Sequence, residues 1–323
     1  MRLVVGAVFV AFAIGAVAGT PAALNRPGRI AFSIDDRSGS SRIYTIRPNG
    51  TGFRELTRPV LPQGWGGDSG PAWSPDGKRI AFERDLPFWS QDRFQLYLVR
   101  MSGGATHALT PGPFDVMPAW SPAGGRIVFS RSTPFESASL YSVDSRNGRA
   151  LKLTFGAIDV TPAWSPDGRR IAFARFPADE PLRTDGAQLF VADANGSNVR
   201  PLGTPALRGA SPAWSPDGTR IAFVSFQDGN GTTCAVDCAP NGELYVVNAD
   251  GSGLKRLTFT KADDEHPTWS PDGTAIAFSS GYELRRDGHA PWLMVMPASG
   301  GRAIRLGRFS GVHDPAWSPA AVR

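Results

Sequence analysis

Cysteine and histidine are both scarce in this chain, which has only two Cys and four His among its 323 residues. Two cysteines alone do not make a zinc site, and no histidine lies close to them in the sequence. An excess of one charge is missing too, because 34 basic and 29 acidic residues leave a net charge of +5. Since no basic run is interleaved with aromatic residues, the sequence argues against a nucleic-acid partner.

Long apolar runs are absent after residue 23, but one lies before it, from Leu3 to Ala18. Ala16-Val17-Ala18 provides the small residues that a signal peptidase site requires. The run is shorter than the roughly 20 residues that a membrane-spanning helix needs. We therefore predict a signal peptide over residues 1–23 and an extracytoplasmic protein, periplasmic or secreted, with an uncleaved N-terminal membrane anchor as the alternative.

The two cysteines are Cys234 and Cys238, only four positions apart. An exported chain meets an oxidising compartment, where a disulfide is the default state of two neighbouring cysteines. We expect this bond to stiffen the loop predicted over Ser225–Gly242.

One repeated segment organises the rest of the chain: Pro71-Ala72-Trp73-Ser74-Pro75-Asp76-Gly77, followed by Ile80-Ala81-Phe82. Self-similarity with a period of about 40 to 50 residues is typical of propellers and solenoids. The segment recurs around four further tryptophans, and its first half recurs near the C-terminus, at steps of 44 to 55 residues: Trp120, Trp164, Trp214, Trp269 and Trp317.

Each repeat contains four short runs rich in Ile, Val, Phe, Tyr and Trp, which predicts four β-strands. Ser-Pro-Asp-Gly stands between the first and second runs, and a hairpin dipeptide such as Asn147-Gly148 stands between the third and fourth. The fourth run is the shortest and usually ends in Leu-Thr, as at Leu109-Thr110. Four antiparallel strands in meander order make one blade of a propeller.

The two ends of the chain complete one blade. Trp317-Ser318-Pro319 has the pattern of a first strand with nothing after it, whereas Arg29–Ser33 has the pattern of a second strand with no Trp strand before it. Pairing the two would close the ring and leave no open sheet edge. We predict an all-β fold, a six-bladed propeller over residues 24–323.

The repeat resembles the PD40, or WD40-like, repeat of the TolB propeller and its relatives. The resemblance covers about residues 28–319, and four repeats carry the full Trp-Ser-Pro-Asp-Gly string. The chain departs from TolB itself because residues 24–27 leave no room for the α/β domain that precedes the TolB propeller. The resemblance implies that the first strand of each blade lies innermost, and it extends to some oligogalacturonate lyases.

Four repeats have an aspartate five residues before the tryptophan, where the other two have Gly209 and Val312. With the first strand innermost, these acids would ring the mouth of the channel and bind a cation or a basic partner. The alternative is that each acid caps its own loop through backbone N–H groups. The four residues are Asp68, Asp115, Asp159 and Asp264.

Two further groups of residues are candidates for a site on the long-loop face of the propeller. His266 and His313, with neighbouring acids, could bind a metal, although their spacing matches no known ligand motif. Loop aromatics could anchor a partner or stack on sugars, or could instead cover the ends of the blades; they are Trp65, Phe88, Trp89 and Phe114.

No set of residues forms a recognisable catalytic constellation, which favours a binding module over an enzyme. We predict a monomeric, non-enzymatic module of the cell envelope that binds a protein or peptide, contains no cofactor, and contacts membrane only through an uncleaved N-terminal segment. A cation bound in the central channel is left open. The alternative is a metal-assisted, polysaccharide-active enzyme similar to oligogalacturonate lyases.

Overall fold

The computed structural model describes residues 27–35, 40–58, 66–87, 93–133, 136–155, 157–177, 186–203, 207–227, 241–281 and 291–319. The predicted signal peptide and both cysteines lie outside these ranges, so their roles stay predictions. No helix in the described ranges is long and apolar enough to cross a membrane.

The described chain forms twenty-four β-strands, which pair into six four-stranded antiparallel blades and confirm the predicted propeller. Four blades are separate sheets, and blades II and III are joined by a single parallel pair, Phe94 with Phe114. Blade I contains β24 (Val312–Trp317), β1 (Ile30–Asp35), β2 (Ser41–Ile46) and β3 (Arg54–Glu55). Blade II contains β4 (Gly67–Trp73), β5 (Arg79–Asp85), β6 (Phe94–Arg100) and β7 (His107–Ala108). Blade III contains β8 (Phe114–Trp120), β9 (Arg126–Thr133), β10 (Glu136–Asp144) and β11 (Ala150–Lys152).

The remaining three blades repeat this order along the chain. Blade IV contains β12 (Ile158–Trp164), β13 (Arg170–Phe176), β14 (Gln188–Asp193) and β15 (Arg200–Pro201). Blade V contains β16 (Ala210–Trp214), β17 (Arg220–Ser225), β18 (Glu243–Asn248) and β19 (Lys255–Arg256). Blade VI contains β20 (Asp263–Trp269), β21 (Ala275–Gly281), β22 (Trp292–Pro297) and β23 (Ile304–Arg305).

The ring closes in blade I, as the pattern at the two chain ends predicts. Strand β24 pairs antiparallel with β1, with Trp317 opposite Ile30 and Val312 opposite Ile34. The indole Nε1 of Trp317 donates to the carbonyl oxygen of Pro27 at 3.2 Å, and the Ser318 N–H donates to Arg29 O at 2.8 Å. The two ends of the described chain are therefore held together by backbone and side-chain bonds.

The Ser-Pro-Asp-Gly turns are stabilised by their own polar side chains. The Ser74 hydroxyl donates to Asp76 Oδ1 at 2.6 Å and accepts the Arg79 N–H at 2.9 Å. Gly77 has a φ of +64°, which only glycine adopts at low cost. The serine–aspartate bond recurs at Ser165, Ser215 and Ser270, so one local device connects the first two strands of four blades.

In the four blades that have a Leu-Thr pair, the fourth strand is shorter than the sequence predicts, because it ends before that pair. In blade II the Leu109 N–H still donates to Leu96 O, but the Thr110 hydroxyl then accepts the Leu96 N–H at 3.1 Å. A side-chain oxygen thus takes the place of a backbone carbonyl and ends the ladder. The same bond from a threonine hydroxyl occurs in three other blades, at Thr57, Thr154 and Thr258.

The core lies between the blades rather than within one of them. Each of six clusters joins residues of two neighbouring blades. The second strand contributes a phenylalanine with at most 1% exposure in every blade: Phe32, Phe82, Phe129, Phe173, Phe223 and Phe278. The tryptophan of the first strand packs beside it, and arginines of the preceding blade cover three of these indoles at 4.7 to 4.8 Å.

Replacement of Trp317 by alanine is expected to lower the free energy of unfolding by about 3–5 kcal/mol, because it removes a buried indole from the closing strand. Chemical denaturation followed by fluorescence measures this difference. Phe259→Ala is the control, since that side chain is 73% exposed and should change stability by less than about 0.5 kcal/mol. Equal effects of the two substitutions would contradict closure through β24.

Candidate functional site

Every innermost strand contains one residue in the left-handed region, three positions before its tryptophan. The six φ values lie between 50° and 57°. In each blade the ladder between the first and second strands shifts register at this point, so the residue sits in a β-bulge. We call these six residues the channel ring: Gly70, Met117, Thr161, Ser211, His266 and Asp314.

The channel ring surrounds a cavity of about 200 Å³ at the centre of the propeller. The proline that follows each ring residue also lines the cavity, and so does Glu83. A left-handed backbone at five non-glycine residues is costly, at roughly 1 kcal/mol or more each, and such outliers concentrate at functional sites. This repeated strain makes the channel the candidate functional site.

Gly70 is the one ring position without a side chain, and the Glu83 carboxylate occupies the space beside it. A Cβ atom at Gly70 would lie 2.7 Å from Glu83 Oε1, so any other residue would displace the carboxylate. The Ser69 hydroxyl donates to Glu83 Oε1 at 3.2 Å, and the Met117 N–H donates to Oε2 at 3.3 Å. Blade II therefore supplies an acid to the channel from its second strand instead of its first.

The pKa of Glu83 is raised to about 7, mainly by burial in the channel and also by the negative charge of Asp314. The bonds from Met117 N–H and Ser69, together with the charge of His266, act in the opposite direction. The carboxyl group of Glu83 thus changes its charge near neutral pH.

Asp314 connects the acidic side of the ring to a histidine. Its Oδ1 lies 3.3 Å from His266 Nε2, and its Oδ2 accepts the Gly70 N–H at 3.3 Å. The other imidazole nitrogen, His266 Nδ1, is buried and has no hydrogen-bond partner among the described residues. Glu83, Asp314 and His266 thus lie together on one side of the channel.

The opposite side of the ring is neutral. The Thr161 hydroxyl accepts the Ser211 N–H at 3.2 Å, and Met117 is 38% exposed. The channel therefore presents two carboxyl groups on one side and hydroxyl and thioether groups on the other. A ligand with one cationic group would be oriented by this difference.

Three of the four aspartates expected at the channel mouth are instead fully buried in ion pairs. Asp68, Asp115 and Asp159 have 0% exposure. Each accepts two bonds, at 2.6 to 2.9 Å, from the arginine sixteen residues later, which is Arg84, Arg131 or Arg175. Two parallel N–H bonds to one carboxylate are the strongest common form of ion pair in proteins.

These pairs connect the first strand of the blade to its second strand. Each guanidinium also stacks on an aromatic ring of the third strand, at 4.4 Å for Arg84 over Tyr97 and 4.9 Å for Arg131 over Tyr141. No backbone N–H of the described residues donates to these three carboxylates, so the other interpretation, that each caps its own loop, has no support in the part of the chain that the structure describes. Their contacts brace the blades.

Asp264 occupies the same repeat position but has no arginine, because Ser280 stands sixteen residues later. Its side chain is fully buried, Oδ2 accepts from the Thr260 hydroxyl at 3.3 Å, and Oδ1 has no hydrogen-bond partner among the described residues. Burial raises the pKa of Asp264 to about 7, and the negative charge of Glu243 adds to the increase. The hydroxyls of Ser280, Thr258 and Thr260 act in the opposite direction.

The two histidines proposed as metal ligands have different partners. His266 Nε2 lies 3.3 Å from Asp314 in the channel, whereas His313 Nε2 lies 3.2 Å from Asp35 Oδ2 of the second strand in blade I. In the part of the chain that the structure describes, no three His, Cys, Asp or Glu side chains come together in an arrangement that could hold a metal ion.

Of the proposed aromatic anchors, only Phe114 lies in the described residues. It begins β8 and packs against Phe94 at 5.8 Å between ring centroids, where blades II and III meet. Trp65, Phe88 and Trp89 lie outside the described ranges, as do most residues of the long loops.

His266 was a candidate from the sequence, as a metal ligand, but the rest of the channel ring and Glu83 were not identified from it. A signal was present, because the residue before the repeat's proline is different in all six repeats: Gly, Met, Thr, Ser, His and Asp. A position that varies fully beside one that is always proline is a candidate for function. The left-handed backbone that aims it at the axis could not be foreseen without the bulge.

A family model described as the TolB beta propeller domain, PD40, matches residues 12–175. The match covers just over half of the 323 residues.

Solved structures with the same fold include two TolB proteins. The chain is similar to TolB from Acinetobacter baumannii, with a TM-score of 0.68, 22% identity, and coverage of 94% of this chain and 69% of that one. It is similar to a putative TolB from Agrobacterium tumefaciens, with a TM-score of 0.63, 21% identity, and coverage of 90% and 91%. At these identities the likeness shows the fold.

Among curated proteins, a short segment is similar to Dipeptidyl-peptidase 5 of Porphyromonas gingivalis, with 50% identity over 38 residues. That segment is 12% of this chain and spans only 6% of the length of the curated relative.

Asp264→Asn is expected to stabilise the protein at pH 8 and to change little at pH 4. Because the pKa is about 7 in the folded state and near 3.8 in the unfolded state, the folded protein binds the extra proton between these values. Stability therefore falls as pH rises through this window, and the neutral amide removes a cost of up to about 4 kcal/mol. Denaturant titrations of the wild type and the variant at pH 8 and pH 4 measure the difference in the free energy of unfolding.

Asp115→Asn is the matched control, because it makes the same change at the same repeat position. This substitution leaves Arg131 without its carboxylate and should destabilise the protein by about 3–5 kcal/mol at pH 8. Opposite signs for the two variants are the expected result. If Asp264→Asn were also destabilising at pH 8, the buried carboxylate would have a partner that compensates its charge.

Proposed function

The chain belongs to the TolB beta-propeller domain family, and from this premise we propose that it is a non-enzymatic module that binds a protein or peptide through its central channel. The observation that carries the proposal is the polarity of the channel ring. Glu83 and Asp314 lie on one side, and Thr161 and Ser211 lie on the other. Such a channel suits a basic group, which means an ammonium or guanidinium group of the partner.

The size of the cavity restricts what can enter it. A volume of about 200 Å³ is smaller than the roughly 300–1,000 Å³ of pockets that bind drug-sized molecules. It has room for one side chain or one chain terminus. The main body of the partner would then rest on the long-loop face, as the sequence suggested, and the channel would select its basic group.

An enzymatic role has less support in the geometry. Ser211, His266 and Asp314 follow one another around the ring, and a serine nucleophile needs a base within hydrogen-bonding distance. His266 Nδ1 has no such partner among the described residues, so the serine is not activated there. The alternative of a metal-assisted, polysaccharide-active enzyme depends on His266 and His313, which contact different acids; stoichiometric metal lost in His266→Ala and His313→Ala would support it.

We place this module outside the cytoplasm, in the periplasm or secreted, as a monomer in the cell envelope. The support is the apolar run Leu3–Ala18 with its small-residue cleavage site. Sequencing of the mature N-terminus tests this placement, since a chain that still begins at Met1 would indicate an uncleaved anchor.

Binding of a basic peptide is expected to be at least about tenfold weaker in Glu83→Gln/Asp314→Asn, because hydrogen bonds to charged groups contribute about 1.5–3 kcal/mol. The probes are short peptides that contain one lysine or arginine, with matched peptides in which glutamine replaces it. Fluorescence anisotropy measures the dissociation constants. Affinity for the basic peptides should also increase from pH 6 to pH 8, since Glu83 loses its proton near pH 7.

Thr161→Ala/Ser211→Ala is the matched control, because it changes two ring residues on the neutral side. It should keep the preference for basic over glutamine peptides. Equal binding of both peptide sets to the wild type would contradict a cation-selective channel. Capture from an envelope extract on wild-type protein and on the Glu83/Asp314 variant would then show whether a different class of partner binds.

A further inference from the structure

The tight-turn face of the propeller carries an uneven positive charge. This face consists of the turns between first and second strands and between third and fourth strands. Its segments in blades I and II, residues 27–29, 47–54, 74–79 and 100–107, contain six basic residues and a single acid, Asp76. The corresponding segments of the other four blades contain nine basic and six acidic residues. We call the six residues the basic patch: Arg29, Arg47, Arg54, Lys78, Arg79 and Arg100.

The register of the blades explains why the charge is not neutralised there. At the turn end of blades III and IV an arginine of the second strand lies opposite an aspartate of the third, as in Arg126 with Asp144. In blade II the same position pairs Arg79 with Arg100. In blade I the equivalent residues are Arg29 and Arg47, directly beyond the pair Ile30 with Ile46.

The contacts of the basic patch are with neutral groups. Arg29 donates to the Thr45 hydroxyl at 3.3 Å and to Gly52 O, and Arg54 donates to Met101 O and Ser102 O at 3.0 and 2.7 Å. Among the described residues none of the six forms an ion pair. Burial lowers the pKa of Arg29, and the charges of Arg47 and Arg54 lower it further.

The N-terminal end of the described chain joins the propeller on the tight-turn face. The described chain begins at Pro27, two residues before Arg29, and Trp317 holds it on the tight-turn face. The 26 residues before it include the apolar run Leu3–Ala18. In a chain that keeps this run, the run joins the propeller on the side of the basic patch.

We propose that the basic patch docks on an anionic phospholipid surface. Lys78, Arg79 and Arg100 line one pocket in blade II, and Arg29, Arg47 and Arg54 lie on the neighbouring blade I, so the charge extends over two blades. Phe53, between Arg47 and Arg54 in sequence, stacks on Tyr44 and Phe309 at 5.1 and 5.2 Å between ring centroids, and 48% of it stays exposed beside these charges. Basic residues with an exposed aromatic are the combination that favours the interface of an anionic bilayer.

The test is flotation of the full chain with vesicles of phosphatidylcholine and with vesicles that also contain phosphatidylglycerol. The wild type should bind the anionic vesicles more tightly, and the difference should disappear at about 1 M salt, where charges are screened beyond about 3 Å. Arg47→Gln/Lys78→Gln/Arg100→Gln removes three exposed charges and should weaken the anionic binding by about 100-fold. Binding to neutral vesicles measures any contribution of residues 1–26 and should not change.

Arg200→Gln/Lys255→Gln/Arg302→Gln is the matched control, because it removes three exposed charges from the same face but from blades IV to VI. It should keep most of the preference for anionic vesicles. Equal losses in the two triple variants would overturn a patch in blades I and II. Tight binding of polyglutamate without binding to anionic vesicles would contradict docking on phospholipid. It would identify an acidic protein segment as the partner of the basic patch.

Discussion

Pairing of β24 with β1 is the constraint on which the rest of the molecule depends. Because both ends of the described chain enter blade I, every blade has a neighbour on each side and can bury both of its apolar faces. Closure also assembles the channel. Asp314 belongs to the closing strand, whereas Gly70 and Glu83 belong to the next blade, so the acidic side of the ring lies across the point of closure.

The parts of the fold that repeat could be predicted from the sequence, because a repeated pattern averages out local ambiguity. The pairing of the Trp317 strand with the strand at Arg29–Ser33 was predicted from such a pattern and is confirmed. The shortened fourth strand was not predicted. The pair Leu-Thr does not indicate that the threonine hydroxyl replaces a backbone carbonyl as the acceptor in the ladder. The channel ring as a whole was missed for a similar reason. Its residues face the channel because each lies in a β-bulge, and no residue type in the sequence predicts that bulge.

The positions that matter most for chemistry are those at which one blade departs from the others. Asp264 has Ser280 where three blades have an arginine, and this single exchange turns a paired carboxylate into one that retains a proton near neutral pH. Gly70 lacks the side chain of its five equivalents, and Glu83 enters the space. Each position in one blade can be compared with five equivalent positions in the other blades. A residue that differs from its equivalents therefore acts as a substitution in an otherwise constant structure.

The threonine hydroxyls that end the outer ladders affect whether the blade edges can pair with strands of another molecule. An outer strand of two or three residues offers few backbone groups to a second chain, and Thr57, Thr110, Thr154 and Thr258 already occupy an N–H of the adjoining strand. The circumference of the ring is thus a poor template for strand addition. Strand addition between the outer edges of two copies is therefore disfavoured in this fold.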